Sequence, residues 1–562
     1  MLSINLKVCV RVIIFTAAAG AMGGSVLLSP LGAQTRPPLP ADLVLLTRQL
    51  ESVPLADDRG DDTPAPTPGD QHLPAIGLRL AMAELERLQG SADRRTGPAL
   101  RRATESVQDA WTHYAAGSRD LSHLGETADA LQHAQASLNV AALLSPRARR
   151  GDIERIEAGL SALAQRMAGD VLRVAEGAHT SHRRLTVARA LFTLGKIAAA
   201  RGYSTVAVGL LGGALKLAAD TITFDVALFE QNITAALAGN TTGHAFSIAY
   251  QGQLYQGGES SGLARTAADP PSTAQSPAKE MHVASVSKTL TTIVTLHLLG
   301  EQGLTPDALI APYLPSNWVL GAGVDQLRFR DFMTHTSGFG QIDAGNAYES
   351  LRTAIATDVG SQSFSYKNAN FGLMRVLAAG LQGIDPVDYG EFDAGALTTA
   401  AFLLYAQFLY SSIGVDVDCA PHDATPTVQY KFPDDGTPGY VEPDRQLSCG
   451  GFGWFISSNE LAAVLTNLRN TENLLSASAR AAMQEGFLGF MDPANYSFIG
   501  GTFGVYSMHG GDWFHSSEEL HSCVVAFPIT VEAALVINSA RGAMPYQCTL
   551  LQSAFDNAWV AN

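Results

Sequence analysis

Ser285-Val286-Ser287-Lys288, followed at once by the apolar run Leu290, Ile293, Val294, Leu296 and Leu299, is the stretch on which the reading of this chain turns. The apolar residues recur at helical spacing, and Gly300 and Gly303 close the run. Ser285 then stands at a helix N-terminus, where unpaired backbone N–H groups and the helix dipole favour developing negative charge. Lys288, three residues on, shares its helical face. A serine hydroxyl is a weak nucleophile until a neighbour takes its proton. A lysine can take it only if burial or a nearby positive charge has lowered its pKa. So short a tetrad recurs by chance, and it needs partners elsewhere in the chain.

Two further stretches supply them. Phe364-Ser365-Tyr366-Lys367-Asn368 contains a Tyr-x-Asn, and in an extended turn Tyr366 and Asn368 have the same parity and face one cleft. A tyrosine hydroxyl beside a lysine can carry protons. Asn368 offers a donor and an acceptor, to substrate or to the lysine. Later comes His509-Gly510-Gly511. Its glycines let a substrate backbone approach a strand closely. A backbone N–H there, with that of Ser285, can form an oxyanion hole, and His509 reaches the cleft as donor or proton carrier.

In this order and spacing the motifs resemble the class C β-lactamase and penicillin-binding-protein-like serine hydrolases, from about residue 224 to the C-terminus. Met281-His282-Val283-Ala284, Phe332-Met333-Thr334-His335-Thr336-Ser337-Gly338-Phe339 and Gly450-Gly451-Phe452-Gly453-Trp454-Phe455-Ile456-Ser457-Ser458 add to the likeness. The resemblance implies that Ser285 is acylated, that Lys288 and Tyr366 together move the proton, that Asn368 contacts substrate, and that the Ser285 and Asp512 backbone N–H groups hold the oxyanion. It leaves open which of Lys288 and Tyr366 is the base. It implies no cofactor. One departure matters: β-lactamases of this family usually carry Lys-Thr-Gly where His509-Gly510-Gly511 stands. A mostly neutral histidine makes a weaker carboxylate clamp. That resembles the esterase and D-aminopeptidase branches, with ester, amide, D-peptide or peptidoglycan stem-peptide substrates. A catalytically silent protein that binds cell-wall peptides in a retained cleft is the other reading.

Around this site the chain reads as α+β. Residues 245–250 and 254–255 form a strand, turn and return strand; 523–528 and 533–538 form another apolar pair. A terminal helix is expected from about 547 to 559, and the sheet is assembled from distant segments, antiparallel and flanked by helices with a helical subdomain. This catalytic domain, 225–562, is preceded by a separate all-α domain over 38–220. Ala, Leu, Arg and Glu dominate there at helical spacing. Leu194-Gly195, Gly202-Tyr203, Ala207 and Ala214-Leu215 are spaced as in one tetratricopeptide unit, read as a generic helical hairpin because no fixed period follows. A protein partner through this region is one expectation.

The N-terminus reads as export machinery. Lys7 and Arg11 precede an apolar stretch over 12–28, and Leu31-Gly32-Ala33 offers a cleavage site, which gives a signal peptide over 1–33 and a periplasmic or secreted protein. An uncleaved membrane anchor is the alternative. No later segment is expected to span a bilayer. A short helix over 41–51 and an acidic, Pro-rich loop over 57–69 follow. Four of the five cysteines lie beyond the signal and allow three pairings; in an exported chain Cys419–Cys449 and Cys523–Cys548, each closing a short loop, are favoured, with four free buried thiols as the alternative.

The net charge is −16 with no long basic run, which argues against a nucleic-acid partner. Without a Cys-x-x-Cys pair a structural zinc is not expected, and His509, Asp512, His515 and His521 lack the spacing of helical zinc sites. Gly258-Glu259-Ser260-Ser261-Gly262 matches a nucleophile elbow in letters alone, since no helix follows it.

Overall fold

The computed structural model describes residues 73–561 except 91, 116–121, 145–146, 179–182, 340–344, 493–494 and 497–505. The expected signal segment, the 41–51 helix and the acidic loop lie outside the described residues.

Among the described residues six helices come first: α1 (Leu73–Gly90), α2 (Gly97–Ala115), α3 (Ser122–Leu144), α4 (Arg147–Ala178), α5 (Arg183–Ala200) and α6 (Ser204–Ala219). Their core is small and aliphatic, built from Leu100, Val107, Leu131, Leu160, Leu211 and Leu215 among others. α5 and α6 form the helical hairpin read from the sequence. Its helices meet closely because Gly195 has no side chain; a Cβ there would stand 2.6 Å from Leu211 Cγ.

Strand β1 (Ile222–Phe224) then pairs antiparallel with the last strand, β13 (Trp559–Ala561). Asp225 caps α7 (Val226–Leu237), its carboxylate accepting from the Ala227 and Leu228 N–H groups at 3.0 Å. Burial of Phe224, Phe229, Phe527 and Phe555 locks the junction, the last two stacked at 4.3 Å.

The main sheet has seven strands. Its path runs from β10 (Ser507–His515) through β11 (Glu518–Phe527), β12 (Val531–Ile537), β2 (Gly243–Tyr250) and β4 (Glu259–Arg265) to β5 (Thr273–Ala274). Short β3 (Gln253–Leu254) pairs with β2. All neighbours are antiparallel, so N- and C-terminal segments meet at the β12–β2 pair, where Ala534 stands opposite Ser247. The second half of β11, Cys523–Phe527, and β12 apart from Glu532 are apolar because both faces are covered there. One face meets α13 (Ser458–Asn470): the Ser247 hydroxyl lies 2.8 Å from that of Ser458, and buried Glu532 pairs with Arg469 at 2.9 Å. The other meets α7 and α15 (Gln547–Asp556). α15 is shorter than expected, because Trp559 belongs to β13. Ser260 lies within β4, its hydroxyl bonded to the Gln275 carbonyl at 3.0 Å, so the elbow reading fails on geometry as well.

The remaining helices lie between β5 and β10 in the chain. α8 (Ser287–Glu301), α9 (Phe329–Met333), α10 (Tyr348–Ile355), α11 (Asn368–Leu381) and α12 (Glu391–Ser411) carry the site from one side. By length and composition α12 could cross a bilayer, contrary to the expectation above. Half of it is buried, however, with Phe402 against Trp454 and the Tyr410 hydroxyl bonded to the Leu290 carbonyl at 2.8 Å.

Of the two expected disulfides one is present, Cys523–Cys548, joining β11 to α15. The other is corrected: Cys419 and Cys449 are buried free thiols joined by a hydrogen bond. Each is held by its own backbone, Cys419 O by the Arg445 N–H and Cys449 O by the Arg375 guanidinium, both at 2.8 Å. Burial pushes the Cys419 thiol well above its usual pKa, which keeps it unreactive. A thiol reagent is therefore expected to leave both untouched in the folded protein and to label both on unfolding without reductant. Labelling of neither after unfolding would show a bond between them.

Candidate active site

The nucleophile turn joins a short strand to a helix through constrained backbone. Met281 and His282 form β6, paired with β9 (Phe455–Ile456). A short 3-10 turn, Ala284–Val286, follows and runs into α8. Ser285 thus sits just before the α-helix proper, and it is the one residue of 281–290 that is not buried. Ala284 has φ +44°, a left-handed conformation that side chains rarely adopt outside constrained sites.

Lys288 is fully buried. Its Nζ lies 3.0 Å from Ser285 Oγ, 2.7 Å from Asn368 Oδ1 and 2.5 Å from the Gly451 carbonyl. It also stands 4.7 Å from the centre of the Tyr366 ring. None of its three hydrogen-bond partners carries a negative charge. Burial therefore lowers the Lys288 pKa well below its ordinary value of 10.5. A neutral amine has two N–H groups and one lone pair. Asn368 and Gly451 accept the two N–H groups, which leaves the lone pair facing the serine hydroxyl.

Tyr366 hydrogen-bonds Ser285, and burial of its hydroxyl raises its pKa. Its ring is 37% exposed, so it closes the site on the solvent side. Tyr366 precedes α11 and Asn368 is the first residue of that helix. His335, from the Phe332–Phe339 stretch, orients this segment. Its Nδ1 accepts the Lys367 N–H at 3.2 Å, its carbonyl accepts the Ser365 N–H at 2.8 Å, and its ring packs at 4.3 Å from that of Tyr366. Since Nδ1 accepts, the proton of neutral His335 is on Nε2.

His509 lies on β10 and is buried. Its Nδ1–H donates to the Gly510 carbonyl at 2.8 Å, which leaves Nε2 as an acceptor. Burial first, then the neighbouring Lys288, hold its pKa down to about 3. Gly511 brings β10 against the nucleophile turn. A Cβ there would meet Ser522 Oγ at 2.4 Å, the Val283 carbonyl at 2.6 Å and Ala284 Cβ at 3.0 Å. At Gly510 it would strike the Tyr546 hydroxyl and approach Cys548 Sγ at 3.1 Å. The Asp512 side chain points away, toward α15. Burial raises its pKa, but hydrogen bonds from His521 at 2.6 Å and Gln547 at 3.1 Å outweigh that and leave it lowered.

Two contributors were missed in sequence. The Gly451 carbonyl completes the lysine's shell, and Arg375 binds the adjacent Cys449 carbonyl. The Gly450-Gly451 pair is the signal that can find them. Gly450 has φ +121°, and a Cβ on Gly451 would be 2.6 Å from the Asn368 carbonyl, so only glycine lets this loop reach the lysine. Among the described residues no cluster of His, Cys, Asp and Glu is arranged to hold a metal. His515 instead stacks on Tyr440 at 3.5 Å.

The Beta-lactamase family model matches residues 229–544. No curated protein matches the chain. Similar solved structures include a penicillin-binding protein homologue from Pyrococcus abyssi, at 16% identity and TM-score 0.43 over 58% of this chain and 76% of that one. A D-stereospecific amidohydrolase from a Streptomyces species is similar at 17% identity and TM-score 0.41, over 59% and 98% of the two chains. A class C β-lactamase from Rhodobacter sphaeroides is similar at 17% and 0.41, over 59% and 97%.

Proposed function

This chain belongs to the β-lactamase family, and on that premise we propose that it is a serine hydrolase acting through a Ser285 acyl-enzyme on ester or amide bonds. The observation that carries the proposal is the fully buried Lys288 Nζ, 3.0 Å from Ser285 Oγ and otherwise held only by the uncharged Asn368 Oδ1 and Gly451 carbonyl.

Lys288 takes the hydroxyl proton as Ser285 Oγ bonds to the substrate carbonyl carbon. The Ser285 and Asp512 backbone N–H groups receive the oxyanion, since Gly511 sets their two segments in contact. The carbon–leaving-group bond then breaks. The proton passes from Lys288 through Tyr366 to the departing alcohol or amine; the raised pKa of Tyr366 keeps it protonated and suits it to donate. Water attacks the acyl-enzyme by the reverse route. Asn368, His509 and the Gly510–Gly511 strand contact substrate. A neutral His509 offers no cation for a substrate carboxylate, which favours esters and D-peptide amides over β-lactams. Export suits this chemistry, and the Cys523–Cys548 disulfide supports an oxidising compartment.

The pH dependence follows in sign. Protonated Lys288 has no lone pair, so acylation is lost as pH falls through its lowered pKa and is present above it. The rate is expected to reach its plateau well below pH 10.5, the ordinary lysine value. His509, with a pKa of about 3, adds no inflection near neutrality. A rate of ester acylation still climbing at the ordinary lysine pKa would reject Lys288 as base. The function itself is tested with a panel of chromogenic esters, D-amino-acid amides and a β-lactam. A burst of product that Ser285→Ala abolishes is expected, with the β-lactam the poorest substrate. No turnover of any member would favour a silent peptide-binding protein.

A further inference from the structure

The helical region carries a surface that the hydrolase chemistry does not use. In a chain of net charge −16, two long windows hold no acid at all: residues 130–151 and 177–219. Together they hold nine Lys and Arg residues. The fold brings both windows to one end of the helical bundle. The last turns of α3 meet the first turn of α6 through a 2.9 Å bond from Asn139 Nδ2 to Thr205 Oγ1. The Tyr203 N–H, bonded to the Ala198 carbonyl at 2.9 Å, closes the turn from α5 to α6.

That end is apolar where it meets solvent. Val140 and Leu143 of α3, Leu194 and Ile197 of α5, Tyr203 in the turn and Val206 of α6 are all exposed, Leu143 at 79% and Tyr203 at 62%. Leu194 and Ile197 share a face of α5 with exposed Val187 one heptad earlier. Basic residues flank the patch: Lys196 in the last turns of α5 and Arg201 just beyond it. Arg184, Arg189 and Lys216 are instead engaged with acids outside the windows, Asp220, Glu176 and Asp129.

We propose that this end of the helical bundle docks on an anionic lipid bilayer, with Leu143, Ile197 and Tyr203 entering the headgroup region and Lys196 and Arg201 meeting lipid phosphates. Exposed apolar side chains ringed by Lys and Arg, with an aromatic at the boundary, are the chemistry of interfacial membrane binding. Charge argues against a second copy as occupant. A two-fold contact would set Lys196 and Arg201 against their own counterparts, and neither window offers an acid to meet them.

The full-length protein is tested by sedimentation with vesicles of phosphatidylcholine alone and of phosphatidylcholine with phosphatidylglycerol, at low and raised salt. Binding is expected to require phosphatidylglycerol and to weaken with salt. Lys196→Gln/Arg201→Gln is expected to weaken it by about tenfold or more, and Ile197→Ser/Tyr203→Ser comparably. Unchanged helical content by circular dichroism and unchanged thermal unfolding show that the variants fold. Equal binding to neutral vesicles, or variants that sediment like the parent, would overturn the proposal and leave any anchoring to the apolar stretch over 12–28. A lipid-independent dimer abolished by Ile197→Ser would also overturn it, assigning the face to a second copy.

Discussion

Lys288→Met is expected to lower kcat/KM for ester hydrolysis by roughly 10³–10⁴-fold and to remove the pre-steady-state burst, while the fold is retained. Methionine keeps the length and apolar packing of the side chain in a fully buried position. It removes the base and leaves Asn368 Oδ1 and the Gly451 carbonyl without their donor. Two unsatisfied acceptors cost about 1–3 kcal/mol each. Relief from burying an amine among uncharged groups offsets part of that, so the change in stability is small beside the change in rate. Lys288→Arg is not expected to rescue, because a guanidinium stays charged and cannot take the proton. The measurement is stopped-flow acylation alongside thermal unfolding. A burst of normal size in Lys288→Met would remove the lysine from the mechanism.

Gly511→Ala is expected to cost about 10²–10³-fold in kcat with a modest loss of stability. The added methyl meets Ser522 Oγ, the Val283 carbonyl and Ala284 Cβ, all within 3.0 Å. The Ser522 hydroxyl cannot simply swing aside without giving up its 2.7 Å bond to that same Val283 carbonyl, and the carbonyl is backbone. β10 must retreat from the nucleophile turn, carrying the Asp512 N–H away from the Ser285 N–H. A shift of this size falls on the transition state, so kcat should fall more than KM rises. Gly510→Ala is the control. Its methyl meets Tyr546 and Cys548 on the far face of the strand, so its cost should fall mainly on stability. Equal rate losses in the two variants would show general damage to the sheet rather than a displaced oxyanion pocket.

These two variants also mark how far the sequence could be read. Ser285, Lys288, Tyr366, Asn368 and His509 announce themselves because each is a chemical group with a motif around it, and the structure brings them together. The α+β fold was legible for a similar reason: 523–527 and 533–537 are apolar without interruption, as strands covered on both faces must be. A backbone carbonyl such as that of Gly451 has no letter of its own, and only the glycine pair hints that the chain comes close there. The role of His335 depends on a contact with a segment 30 residues away. Cys419 and Cys449 show the opposite failure. Composition and the export expected from the N-terminal sequence suggest a bond, but whether two buried sulfurs join depends on how each backbone is anchored, which spacing does not record. The Ala284 conformation is equally silent in sequence, since nothing about alanine announces a positive φ.

Acylation of Ser285, with a neutral, buried Lys288 taking its proton, is read out by intact-protein and peptide mass spectrometry after brief reaction with a chromogenic ester or a serine-directed phosphonate. One adduct per chain is expected, located on the peptide containing Ser285, absent in Ser285→Ala and formed far more slowly in Lys288→Met. No adduct on the parent protein, or an adduct on a different serine, would contradict it.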